Sequence, residues 1–293
     1  YYMKIDIAAK GISLVLSPMQ KRQAVEHAVA HRLCSERRAC HLIGLHRSTF
    51  RYQPKPPRPH QVQLHQRIVA LSWAYPRYGY RRIRALLDQE GWQVSRKQVQ
   101  RIRHKEGLRV RPKPKKISRE GVSTGLPTQA THHNHVWTWD FIFDRTDKGS
   151  TLKMLTMLDE YTRQCLAIRV ERNITSTQVA ATLWQAMIRY GIPQHIRSDN
   201  GSEFIAQKLQ QWLRENQIKT IYIDPARPWQ NGYIESFHSR FRDECLNREM
   251  LLNLQEARVV IEDWRQEYNR IRPHSSLGYK SPETFILDQN LSS

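Results

Sequence analysis

The segment Val136-Trp-Thr-Trp-Asp-Phe-Ile-Phe143 sets the architecture of the second half of this 293-residue chain. Nearly every position holds a β-branched or aromatic residue, a composition that predicts a β-strand. Asp140 stands in the middle of this strand, between large apolar neighbours. Because a carboxylate is costly to bury unless it is paired or binds a metal ion, Asp140 is predicted to have a chemical role.

The segments after this strand complete a pattern of strands and helices. Further strands are predicted over 151–158, 164–171, 194–198 and 219–223, and helices over 175–190, 206–217, 228–248 and 254–270. Three strands followed by alternating helices and strands predict an α/β domain with a mixed sheet.

Two more carboxylates lie where such a domain places functional groups. Asp199 directly follows a predicted strand, and Glu235 lies in a predicted helix. Strand ends in α/β sheets commonly carry ligand-binding groups. Three converging carboxylates could hold two Mg²⁺ ions, which promote in-line displacement at a phosphodiester. Asp-Asn-Gly is also typical of an ordinary turn and Glu235 of a helix surface, whereas Asp140 has no such alternative explanation.

The positive charge of the chain is confined to its first part. The whole chain has 47 Lys and Arg against 27 Asp and Glu, a net charge of +20. Residues 1–120 contain 27 basic and 7 acidic residues, whereas residues 121–293 contain 20 of each. This asymmetry predicts a polyanion-binding part joined to a neutral part. A basic membrane-surface helix would need a broad apolar face, and a membrane-spanning one about 18 apolar residues in a row; the sequence has neither.

The first basic segment has the spacing of a helix-turn-helix. Cys40 allows two helices to approach closely, and Gly44 supplies the turn between them. In that register the start of the recognition helix exposes four residues that are predicted to contact DNA, namely His46, Arg47, Ser48 and Arg51. An ordinary helical hairpin is the alternative interpretation. A zinc site at His31, Cys34, Cys40 and His41 is a second alternative, although the cysteine spacing differs from that of a paired zinc knuckle.

A second helical segment, over 61–110, includes a strongly basic helix over 96–106 that Ser95 is predicted to cap. Val99 and Ile102 are expected to face inward. The residues expected to face outward and to contact DNA phosphates are Arg96, Lys97, Arg101 and Arg103. The following Pro-rich linker adds Lys113, Lys115 and Lys116 as candidate DNA contacts. A solvated charged face is the alternative interpretation.

Several motifs together resemble the DDE transposases of bacterial insertion sequences, which are related to retroviral integrases. They are Trp137-Thr-Trp-Asp140, Ser198-Asp-Asn-Gly-Ser-Glu-Phe204, Pro228-Trp-Gln-Asn-Gly-Tyr-Ile-Glu-Ser-Phe237, Tyr78-Gly-Tyr-Arg-Arg-Ile83 and the segment from Tyr268 to Pro282. Asp199 and Glu235 are separated by 35 residues, and Arg242 follows Glu235 by seven. The pattern is most similar to the OrfB-type product of the IS-three family.

This resemblance implies an RNase H-like catalytic core in which Asp140, Asp199 and Glu235 bind two Mg²⁺ ions, with Mn²⁺ as a possible substitute. It further implies DNA cleavage and strand transfer, with Arg242 and Asn231 contacting DNA. The expected partners are double-stranded DNA, as terminal inverted repeats and target, and further copies of the chain, in the bacterial cytoplasm. A DNA-binding repressor and a nuclease that cuts without joining are the alternative functions.

The same reasoning predicts five regions. They are an N-terminal helix-turn-helix (1–53), a second helix-turn-helix-like domain (60–111), a basic linker (112–130), the catalytic core (131–250), and a C-terminal helix and tail that pack on the core (251–293).

Overall fold

The structure is a computed structural model that describes residues 17–53, 56, 58–110, 129–198, 204, 207–223 and 231–292. The chain divides into two compact units, Tyr1–Val62 and Gln63–Ser293. Among the residues described, no helix combines the length and the apolar character that crossing a membrane requires.

The first unit contains three short helices, α1 (Pro18–Ala30), α2 (Glu36–Ile43) and α3 (Arg47–Arg51). Ser17 and Gln20 form a capping box at the start of α1, and Pro18 occupies its first turn. Gly44 ends α2 with φ +65°, a backbone conformation that favours glycine. Val25, Ala39, Cys40 and Leu45 form the small buried core. Cys40 thus has the packing role that its spacing predicts.

A helical domain follows, made of α4 (Pro59–Ala74), α5 (Tyr80–Gln89) and α6 (Arg96–Lys105), and all of it from Gln63 onward belongs to the second unit. Ser95 caps α6 by accepting a hydrogen bond from the backbone of Gln98. The core of this domain consists of apolar side chains from all three helices, among them Leu64, Ile68, Leu71, Ile83, Leu87 and Val99.

A five-stranded sheet forms the centre of the second unit. Its strands are β1 (Val136–Arg145), β2 (Thr151–Asp159), β3 (Cys165–Glu171), β4 (His195–Ser198) and β5 (Lys219–Tyr222). The spatial order is β3-β2-β1-β4-β5, with β1 antiparallel to β2 and parallel to β4. The mixed sheet agrees with the predicted fold class.

Helices cover both faces of this sheet. They are α7 (Ser176–Tyr190), α8 (Gln207–Glu215), α9 (Gly232–Phe241) and α10 (Leu254–Arg270), and α11 (Pro282–Ser292) ends the chain. The predicted helix over 228–248 is interrupted, because Arg242–Leu246 form a π-helical turn after α9. Its expected first residues, 228–230, lie outside the described residues.

Alternation along β1 separates two cores. Trp137 and Trp139 pack with α7 and α8 on one face of the sheet. Ile142 belongs to the other core, with Phe237, Phe241 and residues of α10. Successive side chains of a strand point to opposite faces. Thr138 and Asp140 therefore share the face on which α9 packs.

A buried ion pair stabilises the end of β4. The Arg197 guanidinium donates from Nε to Glu160 Oε1 over 2.8 Å, and the side chains are 1% and 0% exposed. Removing one partner of a buried pair leaves the other charge uncompensated.

We expect Glu160→Gln to lower the free energy of unfolding by about 3–5 kcal/mol, because the buried guanidinium of Arg197 would lose the charge of Glu160. Urea denaturation followed by circular dichroism measures this change. Glu283→Gln is the control, since Glu283 pairs with Arg270 at 3.6 Å on the surface and should contribute at most about 1 kcal/mol. Equal effects of the two substitutions would contradict the expectation.

His274 is buried between charged groups near the C-terminus. Its backbone N–H donates to Lys280 O, and its ring meets Tyr268 edge-on. Burial, together with the nearby cations Arg272 and Arg82, holds the pKa of His274 well below the usual 6.5. Below pH 6.5 the unfolded chain therefore binds a proton that the folded chain does not, and stability falls as the pH falls.

We expect His274→Gln to flatten this loss of stability below pH 6.5, by up to about 1.4 kcal/mol per pH unit. The measurement is the free energy of unfolding in urea at several pH values between 5 and 7.5. His104→Gln, which changes an exposed histidine of α6, should leave the slope as it is in the unmodified protein. A slope unchanged by His274→Gln would assign the pH dependence to other groups.

Candidate active site

Helix α9 is fastened to the sheet by side-chain hydrogen bonds at two levels. Near the start of the helix, Thr138 Oγ1 of β1 donates to Asn231 Oδ1 over 2.9 Å. Two turns later, His238 Nε2 lies 2.8 Å from Thr156 Oγ1 of β2. The Thr156 hydroxyl also donates to the carbonyl oxygen of Asp140 over 3.0 Å. These bonds hold α9 alongside β1, next to Asp140.

The Asp140 carboxylate is partly exposed and lies at this junction. Its Oδ1 accepts a hydrogen bond from the backbone N–H of Phe141 over 2.7 Å. Its Oδ2 is 3.8 Å from His238 Nδ1. The carboxylate that the sequence predicts to be functional is therefore held from two sides.

Glu235 lies on the flank of α9 that faces this junction. It follows Asn231 by four residues and precedes His238 by three, and residues with these spacings share a helix flank. The side chain of Glu235 is exposed. Asp140 and the flank of α9 that carries Glu235 therefore lie on the same face of the sheet, although the two residues are 95 positions apart in the sequence.

Sequence reasoning did not find His238. Burial, aided by the charge of Arg242, lowers the pKa of His238 to about 4, so the ring is neutral at pH 7. Its position three residues after Glu235 was the available signal, but the partner Thr156 lies on a different strand. Its Nε2 contacts the Thr156 hydroxyl, which in turn donates to the backbone carbonyl oxygen of Asp140.

Arg242 and Asn231 lie at the two ends of the same flank. Arg242 is exposed, and its Nη2 donates to Phe143 O over 3.0 Å, so its guanidinium lies beside β1. Asn231, by contrast, is only 6% exposed and accepts from Thr138. The structure gives Asn231 a positioning role in place of the predicted DNA contact, because its amide oxygen is engaged inside the protein.

Asp199 lies outside the described residues. Ser198, which precedes it, is the last residue of β4, whose neighbours in the sheet are β1 and β5. Within the described part of the chain, no three His, Cys, Asp or Glu side chains form a group that could hold a metal ion.

The N-terminal candidates for DNA contact surround α3. His46 caps this helix by accepting a hydrogen bond from the backbone of Ser48, whose hydroxyl also lies 2.6 Å from His46 Nδ1. Arg47 and Arg51 both donate to Glu36 of α2, over 3.3 and 2.8 Å. All four candidates are exposed. Arg37, Arg38 and His41 of α2 are exposed beside them, and the sequence-based assignment omitted these three.

Helix α6 presents a basic face in the second unit. Arg96, Lys97 and Arg101 are exposed, and His104 and Lys105 extend the same surface. The prediction that Arg103 also faces outward is wrong: it is 4% exposed, and its Nη1 donates to Tyr78 O over 2.6 Å. This hydrogen bond links α6 to the turn before α5 in the interior of the domain. Lys113, Lys115 and Lys116 lie outside the described residues.

Comparison with known families matches three segments of the chain. Residues 60–116 match an HTH-like domain, and residues 130–228 and 216–282 match integrase core domain models. The matches cover α4–α6 together with the sheet and α9. An integrase core preceded by an HTH-like domain defines a DNA-acting recombinase with an RNase H-like fold.

Individual proteins are similar over nearly the whole chain. The IS476 39.2 kDa protein of Xanthomonas euvesicatoria is 40% identical, and the similar region spans 93% of this chain and 78% of that protein. The IS407 31.7 kDa protein of Burkholderia multivorans is 41% identical, over 86% of this chain and 90% of that protein. A solved structure of the HTLV-2 integrase catalytic core domain in complex with magnesium is 20% identical, with a TM-score of 0.39, over 52% of this chain and 96% of that one.

The chain belongs to the family of insertion-sequence transposases with an integrase core. The predicted family, fold class and function are thereby confirmed. The HTH-like domain implies that the transposase binds DNA.

The burial of Arg103 generates a test that separates structure from DNA contact. We expect Arg103→Ala to lower the free energy of unfolding by about 1–3 kcal/mol, because Tyr78 O would lose a charged donor. Arg101→Ala should leave stability within about 0.5 kcal/mol of the original and weaken DNA binding instead. Thermal denaturation and fluorescence anisotropy with duplex DNA measure the two effects. If Arg103→Ala weakened DNA binding and left stability unchanged, Arg103 would be a DNA contact, as the sequence predicts.

Proposed function

We propose that this transposase cleaves the ends of its insertion sequence and joins them to target DNA in a reaction that depends on Mg²⁺, with Asp140, Asp199 and Glu235 as the catalytic carboxylates. The observation that carries the proposal is the attachment of α9 to β1. It supports a position of Glu235 near Asp140, because Glu235 shares its helix flank with Asn231 and His238, which contact Thr138 of β1 and Thr156 of β2.

The donor set fits a divalent cation. Asp140 and Glu235 offer carboxylate oxygens, the ligands that Mg²⁺ prefers, and both side chains are accessible from the crevice. When bound, a pair of such ions would activate the attacking oxygen and stabilise the leaving oxygen of a phosphodiester. Mn²⁺ has the same ligand preference and could replace Mg²⁺.

Asp199 is assigned to this site from the register of the sheet. In the parallel pair of β1 and β4, Thr138 lies opposite Arg197. Ser198, one position beyond this pair, is the last residue of β4. We include Asp199 because it is the next residue in the chain after Ser198.

The protein side chains around the carboxylates have distinct tasks. His238 and Thr156 hold Asp140 in place, and Asn231 with Thr138 fixes the start of α9. The exposed guanidinium of Arg242, at the end of the same flank, is suited to bind a DNA phosphate next to the reacting bond.

The division of the chain into regions is part of this proposal. Residues 1–53 and 60–111 would recognise the terminal repeats, 112–130 would connect them to the core, 131–250 would carry the chemistry, and 251–293 would support the core. Joining requires both ends of the element at one place. We therefore infer that a homo-oligomer holds the two ends together.

We expect Asp140→Asn and Glu235→Gln each to slow cleavage and strand transfer by at least about 100-fold, because metal ligands account for several kcal/mol of transition-state stabilisation. DNA binding should stay within a few-fold of the unmodified protein. The measurement uses labelled duplexes with the terminal repeats of the element, with and without Mg²⁺.

Asp144→Asn is the matched control. Asp144 lies on the same strand, and its Oδ1 likewise accepts from the N–H of the next residue, over 2.8 Å. Strand transfer by Asp140→Asn at the rate of Asp144→Asn would refute the assignment. Cleavage without joining by the unmodified protein would favour the nuclease alternative, and DNA binding with neither activity would favour the repressor.

A further inference from the structure

A second crevice lies on the opposite flank of α9. It has a volume of about 400 Å³ and lies among the helical domain, the turn between β2 and β3, α9 and the C-terminal segment. The residues on which the inference depends are Arg82, Arg163, Tyr233, Arg240 and Arg272. We call it the arginine cleft.

Helical geometry separates this cleft from the carboxylates. Tyr233, Ser236 and Arg240 follow one another at spacings of three and four residues, so they share a flank. At about 100° per residue, this flank lies roughly 160° around α9 from the flank of Glu235 and His238. The buried side chains Ile234, Phe237 and Phe241 lie between the two flanks. The arginine cleft is therefore a separate site.

The charges of the cleft are incompletely balanced. Arg272 forms a buried, bidentate pair with Glu244, over 2.6 and 2.7 Å, and Arg82 lies 4.0 Å from the same carboxylate. For Arg163 and Arg240, no carboxylate lies within 4 Å among the described residues. Among the described residues, Glu244 thus pairs with two of these cations, whereas Arg163 and Arg240 have no ion pair of their own; the nearest charge effect on a carboxylate is that of Arg163 on Glu160.

Arg163 is held in the cleft by unusual means. Its guanidinium carbon lies 3.9 Å from the ring centroid of Tyr233, a cation–π contact. Its Nη1 atom is buried and has no hydrogen-bond acceptor in the described structure. Its backbone has φ +63°, a conformation that favours glycine or asparagine. An arginine at this turn lowers the stability of the fold relative to a small residue such as glycine or asparagine. An anion in the cleft would compensate the charge of its guanidinium.

We propose that the arginine cleft binds a backbone phosphate of the DNA on which the transposase acts. Guanidinium groups are the side chains best suited to phosphate, since their planar donors match its oxygens. Hydroxyl groups of Ser236, Ser275 and Ser276 also line the cleft and can donate to a phosphate. The proposal rests on the membership of the chain in a DNA-acting family and is independent of which carboxylates are catalytic.

Such a phosphate would connect two domains. Arg82 belongs to α5 of the helical domain, whereas Arg163 and Arg240 belong to the core. Arg82 also donates from Nε to Pro273 O over 3.1 Å, so the two domains already meet at this edge. DNA bound in the cleft would fix the HTH-like domain on the core at a distance from the reacting bond.

The test uses the full chain and DNA binding without Mg²⁺, so that it is independent of catalysis. We compare Arg163→Gln and Arg240→Gln with Arg214→Gln, which removes an exposed arginine from α8. Losing one phosphate contact should lower affinity about eightfold at 0.1 M salt and reduce the slope of log affinity against log salt by about 0.9. Arg214→Gln should change neither quantity. Arg163→Lys, which keeps the charge, should retain most of the slope.

Inorganic phosphate provides a second measurement. At constant ionic strength, phosphate should raise the melting temperature of the unmodified protein and of Arg214→Gln, but not of the double variant Arg163→Gln/Arg240→Gln. Unchanged salt slopes in both single variants would overturn the proposal. A phosphate-dependent rise in melting temperature together with unchanged slopes would show that the cleft binds free phosphate and not DNA, which also overturns it. Arg163→Lys losing as much slope as Arg163→Gln would point to altered packing and reject a phosphate contact.

Discussion

The packing of one apolar helix face positions both functional flanks of this protein. Ile234, Phe237 and Phe241 fix the rotation of α9 against the sheet and α10. Because that face is buried, the helix cannot rotate about its axis, and the direction of the residues on either side of it is fixed. The flank of Asn231, Glu235 and His238 then faces β1, whereas Arg240 lies on the flank beside Arg82 of the helical domain. The hydrogen bonds of Thr138 and Thr156 then set the height of the helix along the strand.

The helical domain and the core are joined by charged contacts within one compact unit. Arg77 of the turn before α5 pairs with Asp243 at 2.6 Å, and Arg82 donates to Pro273 O. These contacts lie at the end of α9 and after α10, so they attach the domain to the elements that also carry the candidate site. The HTH-like domain, which carries the basic helix α6, is thereby held in a defined relation to the core.

Local signals made much of this structure predictable. The β-branched and aromatic run of β1, the serine caps of α1 and α6, and the glycine after α2 all depend on residues close together in the chain. The missed features depend on distant partners. His238 acquires its role from Thr156, 82 positions away. Arg103 was predicted to be exposed because charged residues usually occupy the solvent-facing side of a helix. Its hydrogen-bond partner, however, is the carbonyl oxygen of Tyr78, 25 positions earlier.

Net charge conceals how the core is organised. Residues 121–293 contain equal numbers of acidic and basic side chains, yet Arg163, Arg240 and Arg272 of this range line one cleft beside α9. The flank of Glu235 faces β1 and also carries Arg242, and we propose that Asp140 and Glu235 bind a metal ion there. The flank of Arg240 faces three further arginines, of which Arg272 and Arg82 lie beside Glu244, and we propose that a phosphate compensates the rest. A phosphodiester chain brings phosphates and, with them, divalent cations. We propose that DNA with its bound cations supplies both: a metal ion for the carboxylates on one flank and a phosphate for the guanidinium groups on the other.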